Sequence, residues 1–97
     1  MTLSTEFPAL QQFFGSYFHQ DWGDEFESFD EALSAYRTGE PPETLWTARK
    51  ELVELIQKDL DEASFADAIH RLGCYYDPVS EGMTYRDWIS LIEHAIR

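Results

Sequence analysis

Apolar residues return every three or four positions in five stretches of the chain, and nowhere do they alternate cleanly with polar ones over several residues. That period belongs to helices packed on one side. In the first stretch Phe7, Leu10, Phe13, Phe14, Tyr17 and Phe18 share a face. Pro8 suits the first turn, where an amide has no intrahelical partner to lose. Gly15 lies inside this pattern and is compatible with a close helix crossing or an early helix end.

Ser28-Phe29-Asp30-Glu31 has the spacing of a capping box and opens a second helix, with Phe29, Ala32, Leu33 and Tyr36 inward and Gly39 closing it. Pro41 and Pro42 introduce the longest segment, ETLWTARKELVELIQKDL, whose stripe is Leu45, Ala48, Leu52, Leu55, Ile56 and Leu60. Lys50, Glu51, Glu54 and Lys58 fall on the opposite side and read as a solvated face, with Glu54 and Lys58 spaced for an ion pair. Asp61 or Ser64 caps a short helix with Phe65, Ala68, Ile69 and Leu72 inward and Gly73 as a left-handed stop. The loop CYYDPVSEGM carries turn signals at Asp77-Pro78 and Gly82, and Thr84 with Asp87 starts a last helix bearing Tyr85, Trp88, Ile89, Ile92 and Ile96. The pattern predicts an all-α fold: one compact domain over residues 1–97, made of about five short helices.

Composition supports that size. With 97 residues, 43% of them hydrophobic and 15% aromatic, the chain can build one small core and keep it folded by roughly 5–10 kcal/mol. Most Phe and Trp side chains are expected inside. Charge adds an asymmetry: 19 acids face 7 bases for a net −12, no base precedes Arg37, and Glu6, Asp21, Asp24, Glu25, Glu27, Asp30 and Glu31 all lie before it. Such a surface repels a phosphate backbone, which disfavours direct nucleic-acid binding and allows a basic partner. Acids also keep a protein soluble, and charge alone does not separate the two roles.

Candidate chemistry is sparse. Cys74 is the sole cysteine, so no internal disulfide forms. MTLSTEFPALQQFF has neither a basic n-region nor a continuous apolar run, and no segment approaches the roughly 20 apolar residues of a membrane span, so a soluble cytoplasmic protein is expected. His19, Asp21, Asp24 and Glu25, with His70 and Asp77, include metal-ligand types, yet their spacing fits no zinc or calcium motif. A metal-dependent enzyme built on His19 therefore stands as a minor reading. Cys74 follows a helix end, where carbonyls disfavour a thiolate, and no serine elbow or phosphate loop is present. A binding protein without cofactor or metal is expected rather than an enzyme. Tyr17, Phe18, Trp22, Tyr75, Tyr76, Tyr85 and Trp88 are either core or, in part, the anchors of an interface.

Five motifs then stand in order: Phe7-Pro8-x-Leu10-x-x-Phe13, Gly15-x-Tyr17-Phe18-His19-Gln20-Asp21-Trp22, Pro41-Pro42-Glu43, Gly73-Cys74-Tyr75-Tyr76-Asp77-Pro78 and Gly82-x-Thr84-Tyr85-Arg86-Asp87-Trp88. This set resembles the immunity proteins of bacterial contact-dependent growth inhibition (CdiI-type) systems over nearly the entire chain. The resemblance implies a small cytoplasmic protein that binds and neutralises the C-terminal toxin domain delivered by a neighbouring cell. Many such toxins are nucleases with basic substrate surfaces, which an acidic inhibitor would cover in competition with the polyanion.

Within the shared motifs Tyr17, Phe18, His19, Trp22, Gly73, Tyr75 and Tyr76 are assigned mainly to structure. Toxin contact is assigned to Asp21, Asp24, Glu25, Glu27, Asp30 and Glu31, with Asp59, Asp61 and Glu62 as further candidates, since discrimination between toxins needs residues outside the shared frame. The competing reading is an acidic adaptor that binds a different host partner through its aromatic patch.

Overall fold

The computed structural model describes residues 6–96, so of the N-terminal stretch read above for a leader, residues 1–5 lie outside the described residues, as does Arg97. Each of the five apolar stripes forms a helix: α1 (Pro8–Tyr17), α3 (Phe29–Gly39), α4 (Pro42–Gln57), α5 (Glu62–Arg71) and α6 (Tyr85–Ala95). Two short elements join them, the single turn α2 (Trp22–Glu25) and a 3-10 turn (Pro78–Glu81), both too short to carry a hydrophobic period. Among the described residues there is no strand.

Local chemistry sets most boundaries. Ser28 Oγ accepts the Glu31 amide at 3.3 Å and Thr84 Oγ1 the Asp87 amide at 3.0 Å, so both expected caps form. Asp61, rather than Ser64, caps α5, with Oδ1 2.7 Å from the Ser64 amide. α4 stops at Gln57, short of Leu60, because Asp59 turns to φ 53°, a left-handed conformation that Asp tolerates better than most residues. Gly73, at φ +96°, stops α5 as expected.

The start of α1 is set from elsewhere. Phe7 offers no capping side chain and Pro8 no amide, while the Gln11 amide reaches Phe7 O at 3.0 Å. Two orphan amides remain, Ala9 and Leu10, and both donate to the Glu51 carboxylate, at 3.3 and 3.0 Å. Glu51, expected on a solvated face, is therefore only 8% exposed: α4 packs that flank against the first turn of α1 and uses the carboxylate as a tertiary cap. Lys58 also departs from expectation, pairing with Glu6 at 2.7 Å rather than with Glu54, since it sits beyond the last helical turn of α4.

α4 packs on α1 and α6, α6 on α5 and the 3-10 turn, and α3 on α1. Between them lie Phe7, Leu10, Phe13, Phe14, Leu52, Leu55, Phe65, Ile69, Leu72, Trp88, Ile89 and Ile92, all without solvent exposure. Each comes from a predicted stripe. A second buried acid, Glu93, binds Arg49 Nε at 2.8 Å and ties α6 to α4.

Candidate functional site

The end of α1 and the loop after α5 are joined by one hydrogen bond: the Tyr75 amide donates to the Phe18 carbonyl at 2.7 Å. Two motifs far apart in sequence thus become neighbours. Gly73 helps this approach, since a Cβ there would meet the Gly15 Cα at 3.4 Å as well as strain a positive φ. Phe18 then stands edge-on to Phe13 and Trp88, with centroids 5.6 and 5.3 Å away. Tyr76 lies 4.7 Å from Trp88 and 5.4 Å from both Trp22 and Phe29.

Most of the motif side chains accordingly face inward. Phe18 and Tyr76 are buried, and Tyr17 and Trp22 are half-buried. Tyr17 donates its hydroxyl to Glu40 Oε2 at 3.2 Å; burial and then the Glu40 bond push its pKa up. Tyr36 is pushed to about 12, again by burial first and by Glu40 second. Tyr75 differs, being 52% exposed, with its ring 5.5 Å from that of His70.

His19 organises the turn that follows. Its Nδ1 accepts the Asp21 amide at 3.1 Å, which leaves Nε2 as the donor to Glu25 Oε1, also at 3.1 Å. Both ring nitrogens are used inside the turn. Asp21, Asp24, Glu25, Glu27, Asp30 and Glu31 all emerge exposed, along a stretch without Lys or Arg. Glu31 accepts the Glu27 amide at 3.4 Å, while the side chains of Asp21, Asp24, Glu27 and Asp30 make no hydrogen bond or ion pair within the described residues.

Asp59, Asp61 and Glu62 stand in another place, between α4 and α5, and are engaged. Asp59 pairs with Arg86 at 3.2 Å. Asp61 caps α5, and the Ser64 amide bond, the main cause, holds its carboxyl below the ordinary value. Glu62 accepts the amide of Tyr85 at the start of α6. Asp59 and Glu62 thus reach across to α6, while Asp61 serves its own helix.

Two acids outside the expected set join the Asp21–Glu31 stretch. The Tyr76 phenol is pushed to about 12, by burial first and then by Glu81, Asp30 and Asp77, and the Tyr76–Phe29 ring contact brings this loop against the start of α3. Asp77 stands out in sequence as a turn residue, as part of the Gly73–Pro78 motif and as a metal-ligand type, but not as a contact acid; Glu81 carries no signal, because its position depends on the Tyr75–Phe18 contact. Cys74 is buried, with its thiol 3.8 Å from the Tyr76 carbonyl and burial raising its pKa to about 12, so it packs as a neutral thiol. Among the described residues no three His, Cys, Asp or Glu side chains gather as metal ligands, and no helix is long and apolar enough to cross a membrane.

A family model described as CdiI immunity protein matches residues 6–96. The chain belongs to the CdiI immunity protein family. The match takes in every described residue, both motif segments and the whole acidic stretch included. Among solved structures, a chain in the crystal structure of the CdiA-CT/CdiI complex from Y. kristensenii 33638 shares the fold, with a TM-score of 0.88 and 26% identity over 95% of this chain and 99% of that one. No curated protein matches.

Proposed function

We propose that this protein is a toxin-neutralising immunity protein, acting by tight, non-catalytic binding to the toxin domain encoded beside it. Membership of the CdiI immunity family, with a fold shared with a chain of a toxin–immunity complex, carries this reading. The toxin is a nuclease with a basic substrate surface, and Asp21, Asp24, Glu25, Glu27, Asp30 and Glu31 cover that surface, displacing the polyanion. Their support is physical: six exposed carboxylates on one uninterrupted stretch with no cation among them. Asp59 and Glu62 are engaged with α6 and Asp61 caps α5, so these three contribute less to contact.

Long-range attraction of this kind acts mainly on the association rate. Replacing Asp24, Glu25 and Glu27 together with Lys should slow association with the purified toxin domain by about tenfold or more at low salt and flatten its ionic-strength dependence. Circular dichroism should show the helices intact, since none of the three side chains is buried. An unchanged rate with unchanged salt dependence would place the contact elsewhere.

A further inference from the structure

The loop between α5 and α6 combines two features that its fold role does not require. Along residues 74–79 burial alternates: Cys74, Tyr76 and Pro78 are buried, while Tyr75, Asp77 and Val79 are exposed. Tyr75 is 52% and Val79 59% exposed, and both stand next to acids in sequence, with Asp77 between them and Glu81 just beyond. The buried partners hold the backbone in place, through Tyr76 against Trp88 and the Met83 amide on Pro78 O at 2.9 Å. The exposed side chains are thus presented on a rigid base, which lowers the entropy lost when a partner covers them.

This loop also lies along the acidic stretch. At one end the Tyr75 amide is bonded to Phe18 O, and further on the Tyr76 ring meets Trp22 and then Phe29. The Tyr76 hydroxyl, buried and without a hydrogen-bond partner among the described residues, lies within electrostatic reach of Asp30, Asp77 and Glu81. Exposed apolar side chains interspersed with carboxylates along two adjacent segments suit one kind of occupant, a protein face that combines basic and apolar side chains. Tyr is among the residues most often found to dominate such contacts.

We infer that the loop Tyr75–Glu81 is the second half of the toxin-binding surface, with Tyr75 and Val79 as its apolar anchors and Asp77 and Glu81 extending the acidic stretch. This rests on the proposed toxin partner. The two halves act differently: the Asp21–Glu31 acids speed encounter, and the anchors slow release.

The test uses the full chain and the purified toxin domain. Tyr75→Ala with Val79→Ser should raise the dissociation rate about 30-fold or more and leave the salt dependence of association near that of the wild type. In the wild-type complex, hydrogen exchange at amides 75–82 should slow relative to the free chain, a readout independent of how the variant folds. Wild-type affinity in the double variant, or unslowed exchange across 75–82, would overturn this assignment while leaving toxin binding itself intact. Failure of the wild-type chain to bind the toxin domain at all would instead remove the function on which it rests.

Discussion

Glu51 stands mid-helix in α4 with both carboxylate oxygens on amides of α1, and the consequences can be measured. Its substitution by Ala would leave the buried Leu10 amide and the half-buried Ala9 amide without acceptors, so Glu51→Ala should lose about 1–3 kcal/mol in urea unfolding. Titration gives a second signature. Burial, the larger influence, lifts the Glu51 pKa above its ordinary 4.5, and the two amide bonds only partly oppose it. The folded chain therefore keeps a proton on Glu51 at pH values where the unfolded chain has released it. The group's contribution to stability is full below about 4.5 and declines as pH rises through the folded value. Measured from pH 4.5 to 7, the stability of Glu51→Gln relative to the wild type should shift in the variant's favour; a flat difference would contradict the burial argument.

At the scale of elements, two glycines that look alike in sequence separate in structure. Gly15 lies inside α1 with nothing within 4 Å of an added Cβ, so Gly15→Ala should stabilise by up to about 1 kcal/mol through helix propensity. Gly73 holds φ +96° with the Gly15 backbone 3.4 Å from its would-be Cβ, and Gly73→Ala should destabilise by about 1–3 kcal/mol. Thermal unfolding of the two variants checks both signs. The sequence is compatible with a crossing or an end at Gly15; the structure shows a helix that continues to Tyr17, with Gly73 the residue that needs to lack a side chain.

The same scale shows what was legible. Helix stripes at Phe13, Leu52, Ile69 and Trp88, and caps at Ser28 and Thr84, depend on residues a few positions apart, so they could be read directly. Glu51 and Lys58 could not, because their partners lie far away in sequence, Ala9 42 positions from Glu51 and Glu6 near the start of the chain, and a helical wheel shows only which side a residue faces. The one available hint was Phe7-Pro8, a helix start without a cap of its own. At the candidate surface the acids before Arg37 stood out by charge alone, whereas Tyr75, Asp77 and Glu81 joined them only once the loop was seen to lie on Phe18 and Phe29.

Across the whole molecule, the motif residues themselves divide by burial, with Asp21, Tyr75 and Asp77 exposed in the proposed contact surface. Phe18, Tyr76 and Trp88 close the core, and the acids they carry outward lie on the segments they fix. A family can keep such a frame while the exposed residues change with the toxin, which is how one fold supplies different specificities. The net charge of −12 belongs to this scale too, since it acts over distances longer than any one contact. The decisive measurement is growth of cells that express the toxin domain encoded beside this gene, with and without this chain. Cells carrying the chain should grow as if no toxin were present, and the two proteins should co-purify at equal stoichiometry; growth arrest undiminished by the folded chain would contradict the account.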